Sequence, residues 1–144
     1  MYRVKDFLSK IDEEAIIEAI VIAEKATSGE IRVHIEDNAT DTPLDRAQEV
    51  FFALGMDKTK DRNGVLFYIC AKKHHFVILG DEAINQKVDA RFWENTKDMV
   101  LSHFKKNNYK QGLIEGIIKV GEFLQKFFPS IEEKQNQLPN EISK

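Results

Sequence analysis

A run of six apolar residues, VLFYIC (65–70), constrains the fold more than any other part of the chain. Successive side chains of a strand point to opposite faces, so a strand that is apolar throughout must be covered on both faces. After the polar turn AKKH, a second strand, HFVILG (75–80), is expected. The turn is too short for a parallel crossover, so the two strands should pair as an antiparallel hairpin.

The segment EIRVHIE (30–36) alternates strictly between polar and apolar residues. This alternation predicts a strand with one buried face and one face that is either solvated or in contact with polar groups, on which His34 is most simply a solvated histidine. A helical segment separates this strand from residues 65–70, so the two strands are expected to be parallel, with a right-handed crossover.

Helical periodicity marks the remaining segments. Residues 9–26 carry acids in the first turn and a broad apolar face. Thr42 resembles an N-cap before Pro43, and Gly55 should end that helix, whose predicted buried stripe is Leu44, Ala47, Val50, Phe51 and Leu54.

Three further helical segments follow the hairpin. A short one begins near residue 81, a longer one is predicted to be capped by Asp89, and the last ends at Pro129. In the last helix, Gly112 and Gly116 lie one turn apart and should permit close packing. The pattern predicts an α/β fold, a three-layer α/β/α sandwich on a small mixed β-sheet in the order α-β-α-β-β-α-α. We expect one domain over residues 1–129 and a polar, disordered tail over 130–144.

Composition narrows the class of protein. The formal net charge is −3 over 144 residues, and no basic surplus indicates nucleic-acid binding. No apolar run approaches the ~18 residues of a membrane span, and the first ten residues lack the apolar core of a signal peptide. The single cysteine, Cys70, allows no internal disulfide and fits a reducing compartment. These features favour a soluble cytoplasmic protein.

The stretch KKHHFVILGDEA (72–83) contains two histidines and two carboxylates, which are common metal ligands. A strand rises about 3.3 Å per residue, so His75 and Asp81 should be roughly 20 Å apart. One metal ion cannot bind residues at both ends, because its ligands lie about 2–2.6 Å away. We therefore expect His74 and His75 to mark a polar hairpin end without a ligand.

The hairpin register brings other residues to the acidic end. If Cys70 pairs with His75, Gly64 faces Asp81 and Asn63 faces Glu82, and the start of the parallel strand at Glu30 lies at the same edge. This strand-end rim collects the following polar residues: Glu30, Asp61, Arg62, Asn63, Asp81, Glu82 and Asn85. It could be ordinary polar surface, with Asp81 capping the next helix and Arg62 paired with Glu82. Alternatively, it is an oxygen-rich site for a hard cation.

Several ordered motifs on this frame resemble the TPM domain family, also described as TPM phosphatases. The matching pieces are TSGEIRVHIE, RNGVLFYIC, ILGDEAINQKV, the following FWE and the segment from His103 to Pro129. The chain is most similar to the soluble cytoplasmic branch, which commonly shows the pattern present here as Asp81, Ile84, Asn85, Lys87 and Val88. The resemblance implies an α/β/α sandwich, divalent-cation binding in some members and a proposed acid phosphatase activity in plant members.

Three functional hypotheses follow. The first is a Ca²⁺- or Mg²⁺-binding module with little or no catalytic activity, for which the candidate ligands are Asp81, Asp61, Glu30 and Glu82, supported by Asn63 and Asn85. The second is a metal-assisted phosphatase in which Arg62 or Lys87 binds the anion. Ser28 is a candidate nucleophile only if a base lies beside it. The third is a protein-interaction domain without a small ligand, whose partner the sequence does not identify.

Overall fold

The structure, a computed structural model, describes residues 8–130 and 139–144. Its five helices are α1 (Lys10–Ala23), α2 (Pro43–Ala53), α3 (Glu82–Lys87), α4 (Ala90–Phe104) and α5 (Tyr109–Phe127). Its strands are β1 (Glu30–Glu36), β2 (Gly64–Cys70) and β3 (His75–Gly80), and a short 3₁₀ helix spans Met56–Lys58. The predicted order of elements and the α/β fold class are confirmed. None of the described helices is long and apolar enough to cross a membrane.

The three strands form one mixed sheet in the order β1-β2-β3. β1 is parallel to β2, with Glu30 opposite Gly64, and β2 is antiparallel to β3, with Cys70 opposite His75. This is the register that the hairpin predicted. Every residue of β2 is buried, as expected for a central strand with a layer of helices on each face.

Two apolar clusters occupy the two faces of the sheet. On one face, α2 packs over the even-numbered residues of β2, with Val50 and Phe51 against Leu66 and Tyr68. On the other face, α1, α4 and α5 cover the odd-numbered residues of β1 and β2 and, in the antiparallel strand β3, Phe76 and Ile78. A methyl group added at Gly116 would lie 2.8 Å from Val100, so this glycine allows α5 to approach α4 closely.

The prediction for α2 is wrong at one position. Leu44 was assigned to the buried stripe, but it is 52 % exposed and lies beside the sheet edge instead of under the helix. Thr42 does precede Pro43 at the helix start, although its side chain accepts no capping hydrogen bond from the described chain.

The polar face of β1 makes polar contacts, which was one of its two predicted alternatives. The prediction that His34 is solvated is wrong, because Arg32 and His34 are buried. The end of the chain lies along this strand. The Ser143 amide donates to the carbonyl of Val33 over 2.8 Å, and the Ile35 amide donates to the carbonyl of Ser143 over 2.9 Å. Part of the predicted tail therefore pairs with the sheet. Residues 131–138 of that tail, and residues 1–7 of the predicted domain, lie outside the described residues, and the domain limit at 129 stays a prediction.

A partly buried polar network lies on this face. Arg46 donates to both carboxylate oxygens of Glu36 over 2.9 Å, and the Tyr68 hydroxyl donates to the same carboxylate over 2.5 Å. His34 contacts Glu36 through Nε2 and Ser143 through Nδ1, each at 3.0 Å. Burial alone would raise the pKa of Glu36, but the hydrogen bonds from Arg46, Tyr68 and His34 lower it to about 2.

Candidate functional site

The strand-end rim forms where the register predicted it. The Asp81 amide donates to the Gly64 carbonyl over 2.9 Å, which places the end of β3 beside the start of β2. The Asn63 side-chain amide donates to the Ser28 hydroxyl over 3.0 Å, which brings the start of β1 to the same edge. The rim is therefore a real structural unit, assembled from three segments that are distant in sequence.

A bidentate ion pair dominates this rim. Arg62 Nε and Nη2 donate to the two carboxylate oxygens of Asp81 over 2.8 and 2.9 Å. Asp81 is buried, whereas the Arg62 side chain is 40 % exposed. The hydrogen bonds with Asp81, and the nearby carboxylates of Glu82 and Asp57, raise the pKa of Arg62. Arg62 is thus the cation that neutralises the acidic end of the hairpin.

Both contacts that are expected if the rim is ordinary polar surface are present. Asp81 Oδ1 accepts a 2.8 Å hydrogen bond from the Glu82 amide and so caps α3. Arg62 Nη1 lies 3.5 Å from Glu82, whose side chain is 62 % exposed. The exposed partner makes this second ion pair weak. Much of the polarity of the rim therefore has a structural role at the start of α3.

The backbone of Arg62 also has an unusual conformation and makes defined hydrogen bonds. Its φ is 52°, in the left-handed region that non-glycine residues seldom adopt. Its amide donates to the Thr59 carbonyl over 3.3 Å, and its carbonyl accepts from the Ala83 amide over 3.1 Å. The loop before β2 is thereby bound to the first turn of α3, which positions the guanidinium over Asp81.

Sequence reasoning missed a second feature of the loop before β2. Three side-chain oxygens in this loop are buried and accept no hydrogen bond from the described protein: Asp57 Oδ1, Thr59 Oγ1 and Asn63 Oδ1. Buried polar atoms are normally paired, so three exceptions within seven residues require an explanation such as water or an ion. The hairpin register assigns Asp61, Arg62 and Asn63 of this loop to the strand-end rim but gives no role to Asp57 or Thr59. No clear sequence pattern predicts the 3₁₀ helix that includes Asp57.

The other predicted residues are dispersed around the rim. Glu30 is buried at the start of β1, while Asp61 and Lys87 are exposed. Asn85 donates from its side chain to the Gly80 carbonyl over 3.1 Å. Within residues 8–130 and 139–144, no group of three or more His, Cys, Asp or Glu side chains could hold a metal ion. The ligand roles of Asp81, Asp61, Glu30 and Glu82 therefore stay predictions.

Two further positions bear on the hypotheses. The Ser28 hydroxyl, the candidate nucleophile, has the Asn63 amide as its described partner, and an amide is not a general base. His75 lies opposite Cys70 at the far end of the hairpin from Asp81. The separation of the histidines from the acids by the length of β3 is confirmed.

The fold and the rim define a small α/β/α protein with a basic residue neutralising an acidic strand end. The chain matches the profile of the TPM domain over residues 1–123. It therefore belongs to the TPM domain family, which confirms the resemblance noted in its motifs. No curated protein matches the chain at a significant level.

Solved structures agree with this assignment. The BA42 protein from the psychrophilic bacterium Bizionia argentinensis is 46 % identical, with a TM-score of 0.90 over 98 % of this chain and 97 % of that one. The N-terminal domain of a P. gingivalis protein is 21 % identical, with a TM-score of 0.71 over 88 % and 83 %. The N-terminal domain of the cg2496 protein from Corynebacterium glutamicum is 13 % identical, with a TM-score of 0.63 over 90 % and 84 %. The last two likenesses concern the fold alone.

Proposed function

We propose that this TPM domain is a divalent-cation-binding module of the cytoplasm, with little or no catalytic activity, in which Ca²⁺ or Mg²⁺ competes with Arg62 for Asp81. The observation that carries the proposal is the set of three buried oxygens of Asp57, Thr59 and Asn63, which accept no hydrogen bond from the described protein. Carboxylate, hydroxyl and amide oxygens are the ligands that hard cations prefer.

Backbone packing supports the same loop as the site. Gly64 has no side chain, and a methyl group added there would lie 3.3 Å from the Met56 carbonyl oxygen. The 3₁₀ helix therefore approaches the start of β2 closely. Residues that would bind the cation are Asp81, Asp57, Thr59 and Asn63, with Glu30, Asp61 and Glu82 supplying negative charge nearby.

Arg62 explains how the rim is stable without a bound cation. A buried carboxylate needs a positive partner, and the guanidinium supplies one through two short hydrogen bonds. Because the Arg62 side chain is 40 % exposed, it can move into solvent when a divalent ion binds to Asp81. Binding is then weakened by the cost of breaking the ion pair, and we expect a dissociation constant of about 10⁻⁴–10⁻³ M.

The test is a titration of the isotope-labelled protein with CaCl₂ and with MgCl₂, followed by amide chemical shifts. We expect saturable shifts clustered at residues 57–64 and 80–85, and their loss in Asp57→Asn, which leaves the pair of Arg62 and Asp81 intact. Asp98→Asn, an exposed acid on α4, is the matched control. Shifts that scatter over the surface, or no shifts at about 10 mM cation, would contradict the proposal.

The same samples test the phosphatase hypothesis. Metal-dependent hydrolysis of p-nitrophenyl phosphate that disappears in Asp57→Asn would assign the enzyme function and revise the proposal of a module with little or no catalytic activity. Saturable cation binding without turnover would support the module.

A further inference from the structure

β3 is an edge strand in the described sheet, because β2 is its only strand partner there. The hydrogen bond from the Asp81 amide to the Gly64 carbonyl shows which residues of the hairpin are bonded pairs. Bonded and non-bonded pairs alternate in an antiparallel ladder, so Phe76 and Ile78 direct their backbone N–H and C=O groups away from β2. Gly80 follows the same alternation, and its carbonyl accepts from the Asn85 side chain.

A groove of about 570 Å³ lies along this edge, and we call it the edge groove. Its floor is β3 from Phe76 to Ile78, and its walls are Leu44 at the start of α2 and Leu101 on α4. A neighbouring cavity of about 200 Å³ also reaches Leu101, so the concave surface continues past the hairpin turn. The exposure of Leu44, which the helical pattern did not predict, places an apolar side chain on this wall.

Lysine supplies the formal charge along this surface. The ionisable residues that line the edge groove are His74, His75 and Lys97, and Lys105 lines the neighbouring cavity. No Asp or Glu is among the described residues that line either one. Among the described residues, the surface therefore combines a strand edge without a strand partner, apolar walls and two lysines, and these are three independent features of a site for an extended chain.

We propose that the edge groove binds an extended acidic segment of a partner protein, which pairs with Phe76 and Ile78 as a fourth strand. Backbone pairing supplies affinity in this mode of recognition, and the alternate side chains of the segment supply specificity. Apolar side chains of the segment contact Leu44 and Leu101, and its carboxylates lie near Lys97 and the two histidines. A second copy of this chain is a poorer occupant, because it would bring the lysines beside the two edge grooves together.

The experiment uses the full chain and a synthetic peptide of about eight residues, in which glutamate and valine alternate, as the probe. We expect a dissociation constant below about 1 mM. Amide shifts should cluster at residues 74–78, 97 and 101, and hydrogen exchange should slow at Phe76 and Ile78. Slower exchange at these two amides distinguishes strand addition from contact with side chains alone.

Two peptides and two protein variants serve as controls. A peptide with N-methyl groups on alternate amides cannot pair with β3, and a lysine-for-glutamate peptide has the wrong charge; each should bind at least about tenfold more weakly. Lys97→Glu should also weaken binding about tenfold, whereas Lys25→Glu, at an exposed position after α1, should not.

Three results would overturn the proposal. The first is no binding at about 2 mM peptide, and the second is equal binding of the N-methylated peptide. The third is a concentration-dependent dimer whose formation slows exchange at Phe76 and Ile78 without peptide, which would assign the edge to a second copy. None of these results bears on cation binding at the opposite end of the hairpin.

Discussion

Arg62 and Asp81 are joined by two hydrogen bonds of 2.8 and 2.9 Å, although 19 positions separate them in sequence. The pair connects the loop before β2 to the residue that ends β3 and caps α3. Asp81 is buried and Arg62 is partly exposed, so the arginine is the solvent-facing member of the pair. A single contact thus stabilises the start of α3 and occupies the carboxylate that a divalent cation would need.

The network around Glu36 predicts a specific loss of stability in acid. Its pKa falls from 4.5 to about 2 on folding, so the charged form stabilises the native state above pH 4.5. This contribution, about 3 kcal/mol, is lost as the pH falls from 4.5 toward 2. Urea unfolding at pH 7 and pH 3 should show a larger decrease for wild type than for Glu36→Gln. Equal decreases in the two proteins would contradict the assigned network.

The close packing of α5 predicts that one added methyl group destabilises the protein. In Gly116→Ala the new methyl group would lie 2.8 Å from Val100 and 2.9 Å from Phe67, so both contacts must be relieved by a shift. Overpacking of about 1–3 kcal/mol should outweigh the helix-propensity gain of about 1 kcal/mol. Chemical denaturation should therefore show net destabilisation. Lys119→Ala, at an exposed position on the same helix, is the control and should change stability little. A Gly116→Ala protein as stable as wild type would contradict the prediction and would show that α4 and α5 can separate.

The pairing of Ser143 with β1 predicts a local change in hydrogen exchange. Ser143→Pro removes the amide that donates to Val33 and should release the segment from the strand edge. The Ile35 amide, which donates to the Ser143 carbonyl, should then exchange at least about tenfold faster. Ser143→Ala keeps the backbone donor and should retain most of the protection. Unchanged exchange at Ile35 in the proline variant would contradict this pairing.

The sheet could be predicted from the sequence because its determinants are local. Three features of the sequence are enough to pair Cys70 with His75: a strand that is apolar on both faces, a four-residue turn, and side chains that alternate between the two faces of the sheet. The rest of the register follows from this pair. The convergence of Asn63, Gly64 and Asp81 at one edge is a geometric consequence of that register. These features depend on residues that are near each other in the chain.

The errors concern contacts that no local pattern encodes. Buried His34 contacts Ser143, although 109 positions separate the two residues, and it also stacks on Tyr68. Leu44 has the right helical spacing for burial, but it faces the edge of the sheet, where no further strand is described. The buried oxygens of Asp57 and Thr59 depend on a 3₁₀ turn whose sequence resembles any charged loop. The periodicity of apolar residues therefore predicts the helices and strands but not the tertiary contacts of their side chains.

Competition between Arg62 and a divalent cation is the central claim, and it gives opposite expectations for two variants. Arg62→Gln removes the resident cation, so Ca²⁺ should bind several-fold more tightly, roughly a 1 kcal/mol gain. Asp81→Asn removes the carboxylate and should weaken binding at least about tenfold. The fold of each variant is checked by its amide spectrum.

The decisive measurement is the Ca²⁺ dissociation constant of wild type and of Arg62→Gln, obtained by calorimetry or chemical-shift titration under identical salt. A tighter constant in Arg62→Gln, with shifts at residues 57–64 and 80–85, is the result that the account predicts. An unchanged or weaker constant in Arg62→Gln, or the absence of binding in both proteins, would contradict it.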